Sequence, residues 1–61
     1  MSLYLDQMVA RLNNEHATDL SDETIDRAMG PCIGGKKLVL LAKQYRDAGL
    51  LTTDMIDLWQ K

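Results

Sequence analysis

Apolar residues at Leu5, Met8, Val9 and Leu12, with Leu3 and Tyr4 just ahead, recur at the i, i+3, i+4, i+7 spacing that puts them on one side of an α-helix. The pattern predicts an amphipathic helix over 2–15, with Ser2 as its cap. Asn13-Asn14 loosens its end, because short polar side chains compete for backbone hydrogen bonds. Leu38, Leu41, Ala42, Tyr45 and Ala48 form a second stripe and predict a helix over 36–48. Val39 and Leu40 fall off that stripe, so this segment is apolar on more than one side and reads as a central helix covered from two directions. Ile25, Ala28 and Met29 predict a helix of two turns after Ser21, with a Glu23–Arg27 pair outside. Met55, Ile56, Leu58 and Trp59 predict a short helix over 53–60. No segment reads as a strand.

The helix boundaries carry their own signals. Leu20-Ser21-Asp22-Glu23-Thr24-Ile25-Asp26 recurs almost residue for residue as Leu51-Thr52-Thr53-Asp54-Met55-Ile56-Asp57. In each copy a hydroxyl residue is placed to cap the helix, acids fill the first turn, and an apolar residue before the cap can staple to one five positions on. Gly30-Pro31 and Gly49 supply stop signals, each glycine suited to the left-handed conformation that closes a helix, with Leu50 placed for the accompanying apolar contact. The expected architecture is all-α: one domain over 1–61, a compact bundle of about four short helices in long-short, long-short order, without strands. The two long-short hairpins read either as an internal duplication or as convergent use of one cap.

Composition narrows what such a bundle can rely on. A chain of 61 residues buries only about 60% of its unfolded surface, so its stability is marginal and extra support is expected. The single cysteine, Cys32, excludes an internal disulfide, and one histidine with one cysteine makes a structural zinc improbable. Self-association is the support that remains. The net charge of −2 and pI near 5.0 do not favour a non-specific grip on nucleic acid or an anionic membrane. No apolar run approaches the ~18 residues of a membrane span and no signal peptide is visible, so a cytoplasmic protein is expected.

Four segments imitate chemistry and stop short of it. Gly30 to Lys36 follows the phosphate-loop pattern, but Lys37 stands where a magnesium-binding hydroxyl is required and no strand precedes the loop. Asp19 to Glu23 opens like a calcium loop, yet Thr24 replaces its glycine and Gly30 its closing glutamate. His16 and Cys32 have no ligand partners at metal spacing, which leaves His16 as a cap or solvated residue and Cys32 as a half-buried filler. Leu41 to Gln60 resembles a helix-turn-helix in placing Gly49 at the turn. However, Tyr45 stands where a small residue is wanted, and the would-be recognition helix offers Asp54 and Asp57 to phosphates. No catalytic residue, metal ligand or cofactor site is assigned.

Charge and apolar surplus remain. Asp19, Asp22, Glu23 and Asp26 gather around the second helix, and Lys36, Lys37, Lys43 and Arg46 on the third. Lys36 and Lys37 stand at the positive end of a helix dipole; pairing with Asp22 and Asp26 would relieve them. The reading that follows is a non-catalytic protein–protein interaction module acting stoichiometrically, as a regulator, inhibitor or accessory subunit, with a homodimer as the first candidate. Val39, Leu40, Leu58 and Trp59 are the expected contact. The alternative is a nucleic-acid binder using Lys36, Lys37, Lys43 and Arg46.

Overall fold

The structure, a computed structural model, describes residues 3–60. Four helices follow in order: α1 (Leu3–Asn14), α2 (Asp22–Met29), α3 (Gly35–Asp47) and α4 (Thr53–Gln60), and no described residue lies in a strand. The radius of gyration is 10.1 Å, close to the ~10.5 Å of a folded chain this long. The expected cap at Ser2 lies outside the described residues.

Both long helices end in the same hydrogen-bonded closure, in which the backbone reverses through one left-handed residue. At the end of α3, Gly49 (φ 77°) donates its N–H to Arg46 O at 3.0 Å and Leu50 donates to Tyr45 O at 2.8 Å. At the end of α1 the same pair of bonds runs from His16 to Asn13 O at 2.9 Å and from Ala17 to Leu12 O at 3.1 Å. These are Schellman closures, which satisfy the orphan carbonyls of the last turn. His16 takes the left-handed position (φ 53°) without the freedom of glycine. Leu50 stays 52% exposed, so its expected apolar seal is incomplete. Gly30, expected to be left-handed, is right-handed (φ −57°) and donates to Asp26 O. α2 is stopped by the proline that follows.

Both short helices start as the repeated heptapeptide predicts. Ser21 Oγ accepts the Thr24 N–H at 3.3 Å and Thr52 Oγ1 accepts that of Met55 at 3.4 Å. Leu51 and Ile56 are both 1% exposed, and Leu20 packs on the core that contains Ile25. The apolar residue before each cap is thus drawn inward with the residue five positions later.

Packing differs from the expectation in one main respect: α1, rather than α3, is the central helix. It carries Met8, Val9 and Leu12, all fully buried, and packs against each of the other three. α3 packs only on α2 and α1, through Leu38 and Ala42, while Leu41, Val39 and Tyr45 are half-buried and Ala48 is exposed. α2 and α3 approach closely at their junction. A Cβ on Gly35 would stand 2.6 Å from Met29 O and 2.4 Å from Gly30 O, so only glycine lets α3 begin there. α4 packs on α1 and brings no Cα within 8 Å of an α3 Cα. The two hairpins are therefore not equivalent, since α1 and α2 touch and α3 and α4 do not. A helix-turn-helix, whose two helices must touch, is not formed.

Candidate interaction surfaces

α3 begins beyond a left-handed Gly34 (φ 73°) that offers no side-chain cap. The loop resembling a phosphate loop is here a tight link between two helices. Gly35 donates its N–H to Cys32 O at 2.8 Å, which lifts Ile33 entirely into solvent. Cys32 is half-buried against the core, as a filler. The Arg11 guanidinium donates from Nη1 to Cys32 Sγ, tying α1 to this link. Arg11 Nε is buried without a partner among the described residues.

The acids of α2 do meet the bases of α3, though through Lys43 and Arg46 and not through Lys36 and Lys37 as expected. Arg46 donates to Asp22 Oδ1 at 2.6 Å and to Leu20 O at 2.9 Å, and its Nε reaches Asp47 at 3.1 Å. Lys43 lies 3.6 Å from Asp26. Arg46 holds the Asp22 carboxyl below the usual carboxylate range, first by hydrogen bonding and then by charge, and the Asp22 bond raises Arg46 in turn. Arg27 pairs with Glu15 at 3.1 Å instead of with Glu23. Lys36 and Lys37 have no carboxylate within ion-pair distance among the described residues. Of the four cations proposed for an anionic partner, two are thus committed to α2 and two are free.

The acids that imitate a calcium loop serve the start of α2. Asp19 Oδ1 accepts from the Thr24 hydroxyl, from the Ser21 N–H at 3.2 Å and from the Ser21 hydroxyl at 3.1 Å. The Thr24 bond, followed by those from Ser21, lowers the Asp19 carboxyl from its ordinary range. Thr24 itself is buried. Among the described residues no three His, Cys, Asp or Glu side chains cluster in a way able to hold a metal ion. No described helix is long and apolar enough to cross a membrane.

The four proposed contact residues fall into two places. Val39 and Leu40, the latter 61% exposed, line an open groove of about 460 Å³ between α2 and α3 together with Lys36, Asp26, Gly30 and Gly35. Trp59, 47% exposed, closes a second hollow with Asn13, Asn14 and His16 at the end of α1, and Leu58 beside it is 71% exposed. One continuous patch does not form, because α4 does not approach α3. A third groove of about 240 Å³ runs between α1 and α3, where Tyr4, Ile33, Leu41 and Lys37 meet. Tyr4 and Ile33 were not among the sequence candidates. The available signal was Ile33 itself, a large apolar residue inside a Gly-rich turn with no helix face to bury it.

No family model matches this sequence, and no curated protein or solved structure shows significant similarity to it.

Proposed function

We propose that this chain is a small non-catalytic helical module that acts stoichiometrically through protein–protein contact, as a regulator, inhibitor or accessory subunit, and that it self-associates. The observation that carries the reading is the distribution of exposed large apolar residues. Ile33 stands out from the link between α2 and α3, and Leu40 and Leu58 from helices whose inner sides are already filled, at 102%, 61% and 71% exposure. Exposed apolar groups flanked by charge are the composition of an interface, where the burial supplies affinity and the charged rim supplies orientation. The same surface offers little to a nucleic-acid backbone once Lys43 and Arg46 are engaged by Asp26 and Asp22.

Sedimentation equilibrium over a wide concentration range tests the reading. The expected result is a reversible monomer–dimer equilibrium that Leu40→Asp shifts to monomer without loss of far-UV helicity, since Leu40 is exposed. A chain that stays monomeric at every concentration removes self-association. Collapse of helicity in Leu40→Asp would place Leu40 in the core.

A further inference from the structure

Ion pairing inside this molecule is selective, and two pairs of the charges it leaves over lie on separate helices. Glu15 takes Arg27, Asp22 and Asp47 share Arg46, and Asp26 takes Lys43. Among the described residues, Lys36 and Lys37 have no ionic partner, and neither do Asp54 and Asp57. All four are exposed. The free cations open α3 and the free acids lie on α4, two helices that do not approach one another, so the two sets cannot neutralise each other within one chain.

Each set also adjoins exposed apolar surface. Lys36 and Lys37 lie four and three positions before Leu40, on neighbouring turns of the same face, with the fully exposed Ile33 at the helix entrance. Asp54 lies four positions before Leu58, with Asp57 beside it. Among the described residues the other acids without an ionic partner are Asp6, half-buried on α1, Asp19, whose carboxylate is engaged by Ser21 and Thr24, and Glu23, which has no large exposed apolar residue next to it on α2. The molecule therefore carries two stripes of matching design and opposite sign, one basic and one acidic.

We propose that these stripes are two halves of one contact made between copies. The Asp54–Asp57–Leu58 face of α4 in one molecule docks on the Ile33–Lys36–Lys37–Leu40 end of α3 in another. The inference rests on the self-association reading above and names the surfaces that perform it. A second copy is the occupant because every copy brings both halves in equal number, and a net charge of −2 is too small to keep copies apart against local complementarity. Docking also relieves the unfavourable position of two lysines at a helix N-terminus, by bringing carboxylates to it. The contact joins two different surfaces: made twice about a two-fold axis it closes an isologous dimer, and made once per step it is heterologous and builds a ring or a head-to-tail chain.

Charge reversal tests the pairing on the full chain. One variant carries Lys36→Glu with Lys37→Glu, the other Asp54→Lys with Asp57→Lys, and each is sedimented alone and as an equimolar mixture, with far-UV helicity measured on every sample. Each variant alone meets like charges at the contact and is expected to associate at least about tenfold more weakly than the unaltered chain. The mixture restores both halves in complementary form and is expected to recover most of that loss. Added salt weakens the unaltered chain and the mixture together. If a reversal unfolds the chain, Lys36→Gln with Lys37→Gln or Asp54→Asn with Asp57→Asn replaces it, and a weakening is again expected. An unaltered chain that dimerises while either variant dimerises equally well, or a mixture no tighter than its components, overturns this contact and leaves self-association standing. An unaltered chain that never dimerises overturns both.

Discussion

One backbone closure occurs twice in this chain with different residues at its tightest point, which makes single substitutions diagnostic. Gly49 occupies the left-handed position after α3 and His16 the same position after α1. A side chain there costs roughly 1–2 kcal/mol, part of which glycine gives back through the larger entropy of the unfolded chain. His16→Gly is therefore expected to stabilise the fold by about 0.5–1 kcal/mol, and Gly49→Ala to destabilise it by about 1 kcal/mol. No atom lies within 4 Å of a Cβ built at Gly49, so its loss would be backbone strain alone. Thermal unfolding resolves either change, at about 4–8 °C per kcal/mol in a domain this small. A second residue-scale expectation concerns acid. Asp19 and Asp22 are both lowered in the folded chain, Asp19 mainly by the Thr24 hydroxyl and Asp22 mainly by Arg46. For a carboxyl depressed on folding, the stabilisation is complete above its unfolded value near 3.9 and is lost as pH falls through the folded one. The urea midpoint should hold from pH 7 to about pH 5 and decline below about pH 4. Asp19→Asn should flatten that decline.

At the scale of helices, boundaries were more legible than packing. The two cap signals located the starts of α2 and α4 because a cap is local: Ser21 and Thr52 bond to N–H groups three residues on. Substituting Ser21 by Ala should cost about 1 kcal/mol. Which helix sits in the middle is not a local property. The apolar run from Leu38 to Ala42 reads as surrounded, yet Leu40 faces solvent and the fully buried trio Met8, Val9 and Leu12 lies on α1. The same limit hid the partner of Arg27, twelve positions away at Glu15, behind the nearer Glu23. It also separated Val39 and Leu40 from Leu58 and Trp59, which an argument from apolar surplus had joined. Within α4 itself, Ile56 is fully buried and Met55 half-buried, and Leu51 adds a buried group from just outside the helix. At 1% exposure, Leu51→Ala should cost about 2–5 kcal/mol. A domain of this size has only about 3–9 kcal/mol to lose, so amide protection along α4 should fall by about 30-fold or more.

For the molecule as a whole, small size and missing cross-links predict marginal stability with self-association as the support that remains. The packing argues for a different relation between folding and association. Among the described residues, eleven buried apolar residues contributed by all four helices and their connections form one cluster, and the residues left exposed are not drawn from it. The proposed association would then join folded monomers and would not complete a core. Dilution through the dimer–monomer transition should therefore leave far-UV helicity and the thermal midpoint nearly unchanged, apart from the small stabilisation that mass action gives at high concentration. A midpoint that climbs steeply with concentration, with helicity lost in step with dissociation, would instead make the dimer the folding unit. The charged stripes would then orient a contact whose main work is burial. The distinction governs how such a module can be regulated. When the monomer is a folded species, a competing protein with an acidic, leucine-bearing helix has a finished basic stripe at Lys36, Lys37 and Leu40 to occupy, and dissociation exposes that stripe without unfolding it.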